Sequence, residues 1–342
     1  MAQKLLVVRN DKIGDFMLAW PALACLKKAS PTPHVTVLVP SYTALLAKAC
    51  PWVDDVIIDP SSQANKAAQQ GLLRQVKQAK FDALLTLFST PRIGWLGVRA
   101  GIPLRVAPAT KWCQIFYNVR VRQRRSQSAK PEYRYNVDLA CKLVERLSLK
   151  LSSLPSPPFW PLSDTQQYTQ RQTLIRDPSE HVMVVHPGSG GSAVNLLISQ
   201  YATLITQISQ HNLPLRWLIS AGPSEQSRAQ ALIDQLAENG VMADHFPAST
   251  GVDAFALKLA GADMLIAGST GPLHIAGCLN LATAGFYPGK RSATPLRWQT
   301  CNSAEKRLAF SPPGSADQQD MSAIDIDAAA QEIVKALLSK GI

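Results

Sequence analysis

A chain of 342 residues, 46% hydrophobic and 17% charged, has apolar material for two globular cores, which excludes a disordered or fibrous protein. Its six cysteines, Cys25, Cys50, Cys113, Cys141, Cys278 and Cys301, include no CxxC pair, a spacing that suits neither a zinc site nor a disulfide framework. The net charge of +11 is uneven: residues 1–160 carry 23 Lys and Arg against 9 Asp and Glu, residues 161–342 carry 12 against 15, so the first half is expected to meet nucleic acid, anionic lipid or a phosphorylated glycolipid.

The apolar run at the start is short and soon followed by charge, which reads as a first strand over residues 4–8 rather than a signal peptide, in a cytoplasmic protein. A loop, Arg9-Asn10-Asp11-Lys12-Ile13-Gly14-Asp15, follows it. Helical spacing then runs over 16–28, with Pro21 as a kink or early-turn residue. Strands at 34–39, 55–58 and 81–87 alternate with helices at 42–49, 66–79 and 91–100. Such alternation predicts a parallel α/β sheet covered on both faces. Residues 111–134 interrupt the rhythm with Lys111, Arg120, Arg122, Arg124, Arg125, Lys130 and Arg134 against a single acid, Glu132, and with Trp112, Phe116, Tyr117 and Tyr133 interleaved. This stretch is either a solvated loop or a clamp for phosphate and carboxylate groups, which Arg grips in bidentate fashion. A helix at 136–147 precedes residues 152–163, which hold four prolines and no charge; nothing regular is expected there, and it is the interdomain linker candidate.

The second half restarts the alternation with a strand at 182–185, then His186-Pro187-Gly188-Ser189-Gly190-Gly191-Ser192. Helix 196–209, strand 215–220, the loop Ala221-Gly222-Pro223-Ser224, helix 225–239 and a short helix at 252–261 follow. The stretch 262–290 then reads as strand, small-residue loop, helix and strand, with no charged residue from Met264 to Pro288. Pro272 suits a first helical position and Ser269 or Thr270 a hydroxyl cap, so the helix start is a ready anion site. A last amphipathic helix spans 324–338, opened by Asp325 or Asp327.

In such sheets ligands gather at the carboxyl ends of the strands. Glycines 188, 190 and 191 let backbone N–H groups approach a phosphate. Gly188, Gly190 and Ala193 also scan as a dinucleotide fingerprint, but no acid closes the next strand to hold a ribose. Glu225 is either a first-turn acid favoured by the helix dipole or an acceptor for ribose hydroxyls. Asp15 is either a cap or a general base, with Asp11 as the competing carboxylate. His274, one turn into the helix, is structural or donates to a phosphate.

Lys4–Leu23 with its Gly14-Asp15 pair, the run from His186 to Asn195, Gly222-Pro223-Ser224-Glu225, and Gly268–Gly277 followed by Phe286-Tyr287-Pro288 together resemble family 9 glycosyltransferases, the ADP-heptose:lipopolysaccharide heptosyltransferases. The resemblance implies the GT-B fold, two Rossmann-like domains with a cleft between them. It places an acceptor domain at 1–155, a linker at 156–165, a nucleotide-sugar domain at 166–323 and a C-terminal helix at 324–342. It implies an inverting, metal-independent enzyme without cofactor that moves a heptose or similar sugar from a nucleotide-sugar, ADP-heptose above all, to a lipopolysaccharide core. Asp15 is then catalytic. Ser189, Gly190, Gly191, Ser192, Glu225, Ser269, Thr270, Gly271 and His274 would bind the donor; Arg120, Arg122, Arg124, Arg125 and Lys130 would hold a lipid-linked anionic oligosaccharide acceptor, with peripheral contact at the inner membrane. The chain departs from the family pattern at Val194, where many relatives carry Lys, and at Ser269, where many carry Asp; Lys290 or Arg291 could replace the missing charge. The alternatives are another GT-B enzyme such as a nucleotide-sugar epimerase, or a non-catalytic binder of nucleotide-sugar or nucleic acid. No nucleic-acid motif is present, so no nucleic-acid partner is expected.

Overall fold

A computed structural model of the chain describes residues 2–110, 112–190 and 194–339. The chain divides into two compact units, Met1–Arg125 with Glu132–Phe159, and Ser126–Pro131 with Trp160–Ile342.

In the first unit the strands are β1 (Lys4–Val8), β2 (His34–Pro40), β3 (Asp55–Asp59), β4 (Ala83–Thr86), β5 (Leu104–Pro108) and β6 (Val119–Val121). They form one parallel sheet in the order β3-β2-β1-β4-β5-β6. The helices are α1 (Ile13–Met17), α2 (Trp20–Lys27), α3 (Ala44–Ala49), α4 (Lys66–Ala79), α5 (Pro91–Arg99) and α6 (Glu132–Arg146). β1 lies between β2 and β4, with Val7 opposite both Val37 and Leu85. Leu5 to Val8 are therefore buried on both faces, which is why this strand is uniformly apolar rather than alternating. The helix expected over 16–28 is two: the chain breaks at Leu18-Ala19, and Pro21 sits in the first turn of α2, where its missing N–H costs nothing.

The second unit repeats the plan. Helix α7 (Asp164–Gln172) leads in, followed by β7 (His181–His186), α8 (Ile198–Ser209), β8 (Leu215–Ile219), α9 (Gln226–Glu238), β9 (Ala243–His245), α10 (Val252–Leu259), β10 (Met264–Gly268), α11 (Gly271–Leu279), β11 (Ala282–Phe286), α12 (Pro295–Trp298), β12 (Arg307–Phe310) and α13 (Ile326–Ser339). Its strands run parallel in the order β12-β11-β10-β7-β8-β9. Renumbered from the first strand of each unit, both sheets have the order 3-2-1-4-5-6 of a doubly wound dinucleotide-binding fold. Asp325 opens α13, its carboxylate accepting the Ala328 N–H at 2.9 Å.

The proline-rich stretch contains the changeover at Phe159–Trp160, and both residues are buried. The Phe159 carbonyl accepts from Trp52 Nε1 at 2.6 Å in the first unit, while the Trp160 N–H donates to the Cys278 carbonyl at 2.8 Å in the second. The connection is thus pinned at each side by a backbone hydrogen bond, despite having no regular structure around it.

Candidate functional site

In a doubly wound sheet the binding crevice opens where the strand order reverses. In the first unit that point is between β1 and β4, and β1 runs straight into Arg9-Asn10-Asp11. Arg9 is buried, 3% exposed, and forks to three acids. Its Nε donates to Asp11 at 2.8 Å, one terminal nitrogen donates to Asp15, and the other lies 3.6 Å from Glu132 on α6. Burial opposes charge on the guanidinium, but Asp11, Asp15 and Glu132 together more than offset it and raise its pKa further. Asp15 is therefore not a cap. It sits in the first turn of α1, yet its carboxylate turns to Arg9, and the N-cap residue Lys12 makes no side-chain capping bond. The Asp15 side chain is 15% exposed, and its second oxygen takes no hydrogen bond from a described residue. Asp11 is desolvated and faces Asp15, which pushes its carboxyl up to about 6 even with Arg9 alongside.

The network continues inward. Arg125 donates to Glu132 at 2.6 Å, to Gln123 at 2.9 Å and to Asn136, while Asn136 donates to the Leu18 carbonyl at 3.0 Å. Here the structure differs from the expected basic clamp. Arg125 is engaged with a carboxylate that is only 2% exposed, and a carboxylate that deep needs a paired cation. Arg120, Arg122 and Arg124 are exposed, Arg120 with its Nε bonded to the Tyr117 carbonyl. Lys130 is half-buried and belongs with residues 126–131 to the second unit.

In the second unit the order reverses between β7 and β10, and the two expected phosphate loops flank that point. After β7, Gly190 has φ +56°, a left-handed conformation that glycine adopts without strain. Glu225 closes this loop. One carboxylate oxygen accepts the N–H groups of Ser189 and Gly190, each at 2.7 Å, and the other accepts Gly222 N–H at 3.2 Å and lies 3.6 Å from His186 Nε2. Burial works against its charge, but the Gly190 N–H, His186 and the Ser189 and Gly222 N–H groups hold its carboxyl below the ordinary range. Glu225 is the N-cap residue of α9 and makes no side-chain capping bond; it stands at the positive end of that helix while its carboxylate serves the loop after β7. Its carboxylate also takes the Ser189 and Gly190 N–H groups expected to face a phosphate; Gly191 and Ser192 lie outside the described residues.

Residues that sequence reasoning passed over set the geometry. Asn195 Nδ2 donates to the carbonyls of Pro187 at 2.8 Å and Gly188 at 2.9 Å, and its Oδ1 accepts Tyr201 OH at 2.7 Å. A Cβ at Gly268 would come within 2.5 Å of that Oδ1, so Asn195 braces the β7 loop against the end of β10. Arg228 adds bonds to the Pro187 carbonyl at 2.7 Å and the Leu196 carbonyl at 2.8 Å. Only the position of Asn195 just beyond the glycine loop hinted at this.

At the end of β10, α11 begins at Gly271 with Pro272 second, one residue earlier than expected. The expected hydroxyl cap is absent: Thr270 occupies the N-cap position but makes no side-chain capping bond. Its Oγ1 and His274 Nδ1 are instead buried with no partner among the described residues. Burial pushes the His274 imidazole down to about 4, so it is neutral at neutral pH and able to donate from one ring nitrogen. The helix start therefore brings a dipole, N–H groups with no intrahelical acceptor, and two buried polar atoms with no partner among the described residues, which together favour an anion. Val194 is exposed, as is Lys290.

One consequence is directly testable. A Cβ at Gly188 would lie 2.0 Å from Glu225 Oε2. Gly188→Ala is expected to fold, because the end of a side chain can move, but to push Glu225 off the Ser189 and Gly190 N–H groups. If a nucleotide seats on this loop, its thermal response should then be lost while the ligand-free melting temperature moves by a few degrees at most, about 1 kcal/mol or less. A full nucleotide response in this variant would mean that the Glu225 position is irrelevant to binding.

Comparison with known proteins gives a consistent picture. The model of glycosyltransferase family 9 (heptosyltransferase) matches residues 70–317. A Haemophilus influenzae protein, provisionally described as a glycosyltransferase, is 42% identical over 336 residues, covering 97% of this chain and 96% of its own length. Among solved structures, a family 9 glycosyltransferase from Veillonella parvula superposes with a TM-score of 0.79 at 14% identity, covering 99% of this chain and 98% of that one. ADP-heptose lps heptosyltransferase II of E. coli gives 0.75 at 17% identity, with 99% and 100% covered. E. coli heptosyltransferase WaaC with ADP gives 0.72 at 16%, with 98% and 100% covered. These likenesses place the two parallel sheets in the GT-B fold.

Proposed function

The chain belongs to glycosyltransferase family 9, and from that premise we propose that it moves a heptose or similar sugar from a nucleotide-sugar, ADP-heptose first among candidates, to a lipopolysaccharide core acceptor, with inversion and without a metal. The observation that carries the donor assignment is the start of α11. Thr270 Oγ1 and His274 Nδ1 are buried, have no partner among the described residues, and stand at the start of a helix at the point where the strand order reverses. A nucleoside diphosphate presents the acceptor oxygens that such a site lacks. The N–H groups of Ser269, Thr270 and Gly271 would meet the charge that grows on the leaving diphosphate, which is where preorganised donors contribute most to rate. Ser269 in place of an acid spares that diphosphate a repulsion. Glu225, held ionised by its own loop, is an acceptor for ribose hydroxyls.

In this reading Asp15 takes the proton of an acceptor hydroxyl as that oxygen attacks the anomeric carbon. The bond from that carbon to the diphosphate breaks, and the nucleoside diphosphate leaves with the electron pair. Arg9 aims the Asp15 carboxylate through one oxygen and leaves the other for the proton. Exposed Arg120, Arg122 and Arg124 suit the phosphates and acidic sugars of a lipid-linked acceptor. Among the described residues no helix is long and apolar enough to cross a membrane, so meeting such an acceptor calls for contact at the bilayer surface.

A thermal-shift panel of ADP-, UDP-, GDP- and CMP-sugars tests the donor assignment. Ligand at a hundred times its Kd stabilises by about 2.7 kcal/mol, so ADP-heptose should raise the melting temperature clearly and the pyrimidine sugars should not. A flat response across the panel would remove the donor assignment.

A further inference from the structure

The outer face of α5 and the turn after β5 lie within a stretch rich in cations and free of acids, in which Arg92 is already paired with Asp59 and Arg125 with Glu132. From Ala83 to Pro131 there are nine Lys and Arg and no Asp or Glu. The same stretch exposes Trp95 at 51%, Trp112 at 65% and Ile115 at 63%, with Val98 beside them. Trp95 and Trp112 share one neighbour, Phe116, whose ring centroid lies 5.8 Å from that of Trp95 and 6.1 Å from that of Trp112, and Ile115 precedes Phe116 in the same turn.

The patch is built into the fold. Ile93 and Leu96 of α5 are buried in the core cluster, which leaves Trp95 and Val98 outward. Gly94 lets the helix press on the turn: a Cβ there would lie 2.8 Å from Phe116 Cβ. Cations are fixed around it. Arg99 is exposed in the last turn of α5, and Arg105 Nε donates to the Phe116 carbonyl at 2.8 Å. Single exposed apolar residues are ordinary on a protein surface, but a contiguous aromatic group rimmed by charge marks an interaction site. Tryptophan favours the boundary between headgroups and acyl chains, and each Lys or Arg near an anionic leaflet adds attraction.

We propose that this face seats the protein on the surface of an anionic phospholipid bilayer, with Trp95, Trp112 and Ile115 entering the headgroup layer and the surrounding arginines facing lipid phosphates. The absence of any acid over 49 residues is charge complementarity to a uniformly anionic surface, and a bilayer offers apolar depth and phosphate in the same layer. The inference rests on the reading of the acceptor as lipid-linked for its purpose, since docking brings the enzyme to a substrate confined to two dimensions.

The test uses the full chain and vesicles that contain neither glycolipid nor sugar donor. Flotation with phosphatidylglycerol-containing vesicles should carry the protein up, with a blue shift of tryptophan emission, whereas pure phosphatidylcholine vesicles should leave most of it behind. Combining Trp95→Ser, Trp112→Ser and Ile115→Ser should weaken anionic-vesicle binding about tenfold or more, because buried apolar area sets interfacial affinity, and should leave the melting temperature near that of the parent. Arg99→Glu alone should weaken binding to anionic vesicles and make its loss with salt shallower, because fewer charge contacts remain to be screened. Equal partitioning of parent and triple variant, or no partitioning of the parent into anionic vesicles, would overturn the proposal. So would a triple variant whose only change is loss of self-association, which would make the patch a protein interface. A flat nucleotide panel leaves this measurement standing, and failed flotation leaves the donor assignment standing, so the two readings fail separately.

Discussion

Asp15→Asn is expected to lower turnover by roughly 10²- to 10⁴-fold, the contribution of a positioned general base, while the thermal shift given by nucleotide-sugar stays near that of the parent. Asparagine keeps the shape of the side chain and an oxygen for the Arg9 N–H, and Arg9 retains Asp11 and Glu132, so the local structure should survive. What is lost is the free oxygen that takes a proton. Asp11 is the control, since it lies beside Asp15 and is bound to the same guanidinium. Its carboxyl, pushed up to about 6 by burial and by Asp15, gives a distinguishing signature. Were Asp11 the base, turnover would climb with pH through about 6 and Asp11→Asn would erase that limb. Steady-state kinetics of both variants across pH therefore decides the assignment: a near-normal Asp15→Asn with a crippled Asp11→Asn would move the base to Asp11.

The parts legible in the sequence were those with strong local signals. Lys4–Val8, Met264–Gly268 and the glycine loops stand out because a strand flanked on both sides must be apolar throughout and because tight turns need glycine. Four strands went unseen, and each is short or at a margin. β6 is three residues inside an arginine-rich run, β9 is three residues, and β12 alternates poorly because it closes one edge of its sheet. Edge strands carry charge and stay short to avoid pairing with other chains, and this erases the pattern that would reveal them. β5 was lost against the proline that ends it.

At the site the sequence yielded residue types but not their partners. Asp15, Glu225 and His274 were identifiable, yet Arg125 looked like one more surface cation. That it pairs with Glu132, and through Glu132 stands near Arg9, depends on α6 packing against α2. Arg9 and Glu132 lie more than a hundred positions apart, and such a contact leaves no local trace. Asn195 and Arg228 act over shorter separations, but their importance lies in which carbonyls they reach, which residue type alone does not reveal.

Arg9→Met should be the most destabilising single change near the first-unit site. It removes the side chain that touches Asp11, Asp15 and Glu132 together. Breaking a buried ion pair from one side costs about 3–5 kcal/mol, and the lower end is expected because Asp11 and Asp15 retain some exposure to water and Glu132 keeps Arg125. The pH dependence identifies the mechanism. With Arg9 present, Asp11 already has its carboxyl raised to about 6; without it, desolvation and mutual repulsion act on the three carboxylates with less opposition. An acid whose folded-state pKa exceeds its unfolded value contributes stability that is complete below the unfolded pKa and is lost as pH rises through the folded one. The deficit of Arg9→Met should thus be largest above about pH 6 and shrink on acidification, so the melting curves of parent and variant converge between about pH 8 and about pH 5. Arg9→Lys keeps the charge but cannot fork to three acids, and should fall between the two. A deficit that is constant with pH would assign the loss to packing alone, and one that grows towards acid would contradict the charge cluster as the source of stability.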